Sequence, residues 1–453
     1  MMGRDLALLA PEIAVLLTAV GALVFEMLRL PKITLPFTVV GLLVATGLTV
    51  PLIGTDTTVF MDTFRIDPLG EWAKLALLPA TILTAILAHP EVRGTDREGT
   101  VHSLFSFTAL GALVLAGAGD VMFVVLGVLL SSLGSFALAA YPRDDRATEG
   151  AMKFLVFGSV TSAVMIFGLT YWYGATGSTL LSELAKLEDA PLPAVLGLVA
   201  VIVGLGYKAA IAPFHFWSPD AYDGAPVSVA AFLSVVPKVG AIFGLVQVMR
   251  DLPVSTGWPL LIAGLAILSM TYGNLAALVQ DNMVRLLAYS SIAQSGYLLL
   301  GVVAVGRSDL AIRSLVVFAA AYAAMNVGAF AVVAGYGRNL RDLSGLGRYA
   351  PWTAGAMVVF LISLVGIPPT AGFAGKLLLF GAAIDAGYTW LAVVAILNSV
   401  LSLAVYLRVV VPMYGTPKET KTASYPATVV WIIALTLTLT GGLAALALLG
   451  EIA

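Results

Sequence analysis

The chain has 453 residues, of which 60% are apolar and 11% charged, and its net charge is −2. Soluble domains carry roughly a quarter charged residues, so a soluble globular fold is excluded, and the near-neutral charge argues against a nucleic-acid surface. With no cysteine, the chain cannot form disulfides or hold iron–sulfur clusters through its own thiolates.

Several runs of about 20 residues lack charge, the length an α-helix needs to cross a hydrocarbon core of ~30 Å. The first run, 6–28, follows Arg4 and contains Glu12 and Glu26 without a small-residue cleavage site, so it reads as a retained span and not a signal peptide. Spans two and three fall at 33–53 and 69–88, followed by a polar loop from His89 to Thr100. Spans four and five, 102–118 and 120–141, are separated by Gly119 and Asp120. Then come 151–173, 194–214, 227–250, 258–278, 284–306 and 310–335. The last three are 351–383, 388–414 and 426–449, the first of them too long for one straight helix. The fold class is therefore an all-α polytopic membrane protein of about 14 transmembrane helices. The third histidine is His215; His89 and His102 flank a polar loop, so a multi-histidine haem or metal site is not expected.

Basic residues orient the chain. Loops after odd-numbered spans hold Arg29, Lys32, Arg93, Arg97, Arg143, Arg146, Lys153, Arg285, Arg338, Arg341, Arg348, Arg408, Lys418 and Lys421. The other side holds half as many: Arg4, Arg65, Lys74, Lys186, Arg250, Arg307 and Arg313. The bias places both termini outside the cytoplasm. It leaves three basic residues, Lys208, Lys238 and Lys376, inside apolar segments.

A lysine at the centre of a membrane helix costs about 2.5–3.5 kcal/mol to insert. These three lie too deep for their stems to reach the interface, and few acidic residues lie at comparable depth to pair with them. Desolvation favours the neutral amine, so such groups can load and release protons near neutral pH. Pro213 lies just after Lys208, and Pro368 and Pro369 lie before Lys376. Proline removes a backbone donor, and mid-membrane breaks are tolerated where they are buried or line a wet cavity. Paired broken spans mark repeat transporters, and spans seven and twelve stand five apart, which suggests two inverted five-helix units. The expected organisation is a three-helix segment, 1–101, a first unit, 102–250, a second inverted unit, 251–415, and a C-terminal helix, 416–453. His215 is two turns beyond Lys208 and is a candidate proton relay. Asp220 and Asp223, in SPDAYDGAP, shape the loop, and Glu149 and Lys153 form a structural i,i+4 pair.

The segment GLGYKAAIAPFHFWSPDAYDGAPVSVAAFLSVVPK resembles the core of the antiporter-like membrane subunits of respiratory complex I, bacterial NADH–quinone oxidoreductase, and most closely its N-subunit family. Supporting pieces, in family order, are APE at Ala10–Glu12, FRIDPLGEWAK at Phe64–Lys74, EGAMKFLVFG at Glu149–Gly158 and YGATGS at Tyr173–Ser178. RLLAYSSIAQSGY at Arg285–Tyr297 and GIPPTAGFAGK at Gly366–Lys376 complete the set.

The resemblance implies a fourteen-helix subunit that translocates protons, driven by quinone reduction elsewhere in the complex. It matches Lys208 and Lys376 to the lysines of the two broken spans, Lys238 to a bridging lysine, and His215 to the histidine between them. It also implies that NAD, FMN, iron–sulfur clusters and quinone belong to partner subunits, with no cofactor in this chain. The expected partners are other membrane-arm subunits, and the expected location is the bacterial inner membrane. Two positions depart from the family pattern. Leu129 stands where a span-five glutamate is usual, and Gln294 stands where a span-ten histidine is usual. A Na⁺/H⁺ antiporter subunit and a non-conducting membrane-arm scaffold remain the alternative readings.

Overall fold

The computed structural model describes residues 2–95, 97–416 and 422–450, and the side chains of 3–95, 97–416 and 422–444. Lys418 and Lys421, two of the orienting residues, lie outside the described residues. A short α1 (Met2–Leu8) leads into α2 (Ala10–Met27) and α3 (Pro31–Thr49). A hairpin of β1 (Thr57–Val59) and β2 (Phe64–Ile66) follows, antiparallel with Thr57 opposite Ile66 and Val59 opposite Phe64. Next come α4 (Pro68–Val92), α5 (Glu98–Ala116), α6 (Val121–Ala140), α7 (Asp145–Thr176) and α8 (Pro191–Lys208). The short α9 (Trp217–Gly224) precedes α10 (Val227–Met249), α11 (Trp258–Leu278), α12 (Met283–Val303) and α13 (Leu310–Tyr336). The chain ends with α14 (Leu346–Tyr349), α15 (Pro351–Val365), α16 (Ala371–Asp385), α17 (Thr389–Met413) and α18 (Tyr425–Gly450).

Among the described residues, thirteen helices are long and apolar enough to cross a membrane. The expected twelfth span supplies the remaining crossing as two halves, α15 and α16, broken at 366–370. The seventh is broken as well: α8 stops at Lys208 and the chain resumes as α9. Local chemistry sets the ends. Asp67, Asp120, Asp144 and Asn282 cap α4, α6, α7 and α12 by accepting from backbone N–H groups that have no partner inside the helix. Proline occupies the first turn of α4, α8 and α15, where its missing donor costs nothing.

Packing is layered. Every residue of α10 is buried, and α12 and α13 are nearly so. The outer helices turn Leu, Val, Ile and Phe outward, as on α2, α3, α7 and α17, and lipid is the solvent that accepts such a surface. In each run of five spans the same neighbours meet. The first packs on the second (α5 on α6, α11 on α12) and the third on the broken fourth (α7 on α8, α13 on α16). The fifth returns to the first (α10 on α5, α17 on α11).

At one end of the bundle Arg65 pairs with Asp251 at 2.5 Å, and Arg250 pairs with Asp67, which ties the β-hairpin to the end of α10. At the other end Asp220 and Asp223 on α9 form an ionic hub. Asp220 pairs with Lys153 and Arg285, each at 2.7 Å. Asp223 pairs with Arg146 and accepts from Asn282 at 2.7 Å, while Arg338 donates to the Ala225 carbonyl. These two carboxylates therefore shape the loop, as the sequence suggests, by joining α7 to α12. The Glu149–Lys153 pair exists at 2.7 Å, but Lys153 is shared with Asp220.

Candidate functional site

The two helix breaks and α10 bring the three lysines of the apolar segments around α12. Lys208 is the last residue of α8 and is buried. Its Nζ donates to Ser132 Oγ at 3.2 Å and Ser135 Oγ at 3.4 Å on α6, and it lies 5.6 Å from the centre of the Phe154 ring. Lys238 sits mid-helix on α10, fully buried, and donates to Ser291 Oγ on α12 at 2.6 Å. Lys376 on α16 donates to the Val365 carbonyl at 3.0 Å and to Ser399 Oγ at 3.1 Å. Its ammonium stands 3.7 Å from the centre of the Tyr297 ring, a cation–π contact. Among the described residues none of the three has a carboxylate within salt-bridge distance. Hydroxyls, carbonyls and aromatic faces hold them instead.

The breaks are built to expose carbonyls and then satisfy them. At the first, Trp217 Nε1 donates to the Tyr207 carbonyl at 2.9 Å, Ser295 Oγ donates to the Ala209 carbonyl at 2.8 Å, and Ala212 N–H donates to Ser269 Oγ at 3.0 Å. The Trp217 ring stacks on Phe154, with centroids 4.0 Å apart. At the second, Gly366 takes the left-handed conformation that ends α15, and Gln294 Nε2 donates to the Leu364 carbonyl at 3.1 Å. The neighbouring Val365 carbonyl is the one that takes Lys376. A pocket of about 290 Å³ lined by Lys376, Ser399, Gly366 and Phe380 lies beside this break.

The hub is α12. Ser291 serves Lys238, Ser295 serves the carbonyl next to Lys208, Gln294 serves the carbonyl next to the Lys376 acceptor, and Tyr297 lies beneath Lys376. Ser290 and Tyr406 share a hydrogen bond of 2.6 Å, and Gln294 reaches the same tyrosine oxygen at 3.5 Å. Sequence reasoning singled out none of Ser291, Ser295 and Tyr297 as site residues. Their signal was present: SSIAQSGY repeats polar side chains three, four and seven residues apart, which is one side of a helix inside an apolar segment.

His215 lies in the segment between α8 and α9, buried, with its ring 4.5 Å from Tyr272 and 4.6 Å from Phe216. Aromatic packing and the adjoining Pro213 backbone place the imidazole, and its Nδ1 has no hydrogen-bond partner of good geometry among the described residues. Leu129 makes no contact with the Lys208 amine, whose α6 partners are Ser132 and Ser135. It is 40% exposed, whereas Val128 is 1% exposed, and Ser132 one turn on is the residue beside the amine. Gln294 fills its departure from the family pattern with a structural duty, closing the α15 break.

Two expectations change. Lys74, assigned by sequence to a loop side, lies in the second turn of α4 and is buried between Glu12 at 2.7 Å and Glu71 at 2.9 Å. It is a fourth lysine withdrawn from water, hidden from sequence because one partner comes from a different helix. His89 and His102, expected to stand apart across a loop, are brought together with Glu98, their donor atoms all within 4.8 Å of one another. The polar loop is shorter than expected, because α4 runs to Val92 and α5 begins at Glu98. The residues flanking such a helical hairpin are neighbours.

Comparison with known proteins follows the same geometry. The family described as NADH:quinone oxidoreductase/Mrp antiporter, TM matches residues 118–402. A protein named NADH-quinone oxidoreductase subunit N from a Mycobacterium species is 41% identical over 84% of this chain and 82% of its own length. A protein named F(420)H(2) dehydrogenase subunit N from Methanosarcina mazei is 36% identical over 83% of this chain and 80% of its own. Among solved structures, a chain of respiratory complex I from Thermus thermophilus superposes with a TM-score of 0.84 at 31% identity, over 96% of this chain and 97% of that one.

Proposed function

The chain belongs to the NADH:quinone oxidoreductase/Mrp antiporter transmembrane family, and on that premise we propose that it is a proton-translocating membrane-arm subunit of a bacterial NADH–quinone oxidoreductase. The observation that carries the reading is the set of three buried lysines whose partners, among the described residues, are hydroxyls, a carbonyl and ring faces with no carboxylate in salt-bridge range, while α12 bonds Lys238 and the carbonyls at both helix breaks. A buried amine whose partners are hydroxyls and a carbonyl is free to be charged or neutral, and the charge on one amine alters the proton affinity of the next through a low-dielectric interior.

A proton enters from the cytoplasmic side and reaches Lys208, passes to Lys238 through water and His215, and leaves by way of Lys376. Spans four to eight and nine to thirteen act as two inverted units, with the first three spans as an N-terminal segment and α18 as a C-terminal helix. The redox groups sit on partner subunits: NAD, FMN, iron–sulfur clusters and quinone. The Methanosarcina relative carries a different electron donor in its name, which fits a subunit whose own chemistry is proton transfer. The complex lies in the bacterial inner membrane, with the Arg-rich end of the bundle on the cytoplasmic face.

The test is proton uptake by the whole complex reconstituted in vesicles. Lys208→Ala and Lys238→Ala are expected to lower both pumping and coupled quinone reduction. Normal proton-to-electron stoichiometry in both variants would overturn the role. It would leave the scaffold reading, which Leu129 and Gln294, the two departures from the family pattern, motivate.

A further inference from the structure

We propose that His89, Glu98 and His102 form a binding site for a transition-metal dication of the Zn²⁺ type, at the turn between α4 and α5. The three residues come from the last turn of one helix and the first turns of the next. Their donor atoms lie within 4.8 Å of one another, and His89 Nδ1 stands 3.5 Å from Glu98 Oε1. Two ligands on a tetrahedral zinc with bonds of ~2.0–2.1 Å stand roughly 3.4 Å apart, so this edge already has the spacing of a shared ion. A small closure of the third donor completes it.

The second observation is His102. It is fully buried, yet neither ring nitrogen has a hydrogen-bond partner among the described residues. Buried polar groups are rarely left in that state without a function or a ligand. Glu98 is oriented from behind: the Gly94 N–H donates to its Oε2 at 3.2 Å, which leaves Oε1 for the ion, an arrangement that holds a metal ligand in place.

The donor set identifies the class of ion. Two neutral imidazoles and one carboxylate suit zinc and its neighbours, whereas calcium and magnesium take oxygen shells. Lys32 and Arg93 line the pocket that opens onto His89 and Glu98, so positive charge guards the mouth. A hard cation held by charge alone is disfavoured there, and an ion that forms directional bonds to nitrogen is not. The pocket, about 490 Å³, supplies the entry path and leaves room for water as a fourth ligand.

The experiment uses the purified full-length chain in detergent, stripped with chelator and titrated with Zn²⁺ alone by calorimetry, then with Co²⁺ alone by visible absorption. The expected result is one stoichiometric site and the intense visible bands of four-coordinate Co²⁺. His89→Ala, Glu98→Gln and His102→Ala each weaken Zn²⁺ binding by at least about a hundredfold, while Glu149→Gln does not. His89 is part-exposed, so its variant tests the site even where His102→Ala disturbs folding. Zn²⁺ binding that is equally tight in His89→Ala and wild type, or octahedral Co²⁺ spectra in the wild type, would overturn the assignment.

Discussion

Among the described residues four lysines are withdrawn from water, and they are held in two different ways. Lys74 sits between Glu12 and Glu71, fixed in charge by carboxylates from α2 and its own helix. Lys208, Lys238 and Lys376 sit among serines, aromatic rings and a carbonyl. The first arrangement is a lock. Its amine has no reason to give up a proton, because doing so would strand buried carboxylates. The second gives each amine only neutral partners, so no carboxylate fixes its charge. The difference teaches that burial alone does not set a lysine's state: a neighbouring carboxylate fixes its charge, and neutral partners do not.

Stability measurements should break or sharpen this contrast. Lys74→Met leaves two carboxylates unpaired and is expected to cost about 3–5 kcal/mol, read as a lowered unfolding temperature in detergent. Adding Glu12→Gln and Glu71→Gln should restore most of the loss. Lys238→Met, by contrast, removes a desolvated amine with no ionic partner and should leave the unfolding temperature unchanged or raised while abolishing pumping; a loss as large as that of Lys74→Met would break the comparison.

Ser132→Glu converts the second arrangement into the first, placing a carboxylate beside Lys208. It should pin the amine in its charged form and slow proton uptake without lowering thermal stability. A smaller effect is expected from Gln294→Ala, which strands the Leu364 carbonyl at the α15 break. That should cost about 1–3 kcal/mol, seen in thermal unfolding and in faster amide exchange around 362–368. Smallest of all, Glu149→Gln removes an exposed pair partner while Lys153 keeps Asp220, so stability should move by less than about 0.5 kcal/mol.

Much of the bundle was legible in the sequence because membrane helices announce themselves by length and apolarity. The breaks were legible from Pro213, Pro368 and Pro369, and the lysines from their cost. What could not be read depends on rotation and on distant neighbours. Consecutive residues on a helix point 100° apart, so the step from Val128 to Leu129 carries a side chain from the interior to the outer surface. The Lys74 partner Glu12 lies in another helix, and no local spacing links the two. The α12 strip escaped notice for a different reason: serine and glutamine are ordinary residues in packed membrane helices, and only their convergence on the lysine-bearing elements sets them apart.

The burial of α10 has a mechanical consequence. Every residue of Val227–Met249 is buried, and Gly240 touches Ala112 so closely that a single added methyl would collide. A rod gripped along its whole circumference cannot slide or tilt without moving the helices that grip it. A change of charge at Lys238 must therefore be met by reoriented hydroxyls such as Ser291, because the helix that carries the lysine has no room to shift.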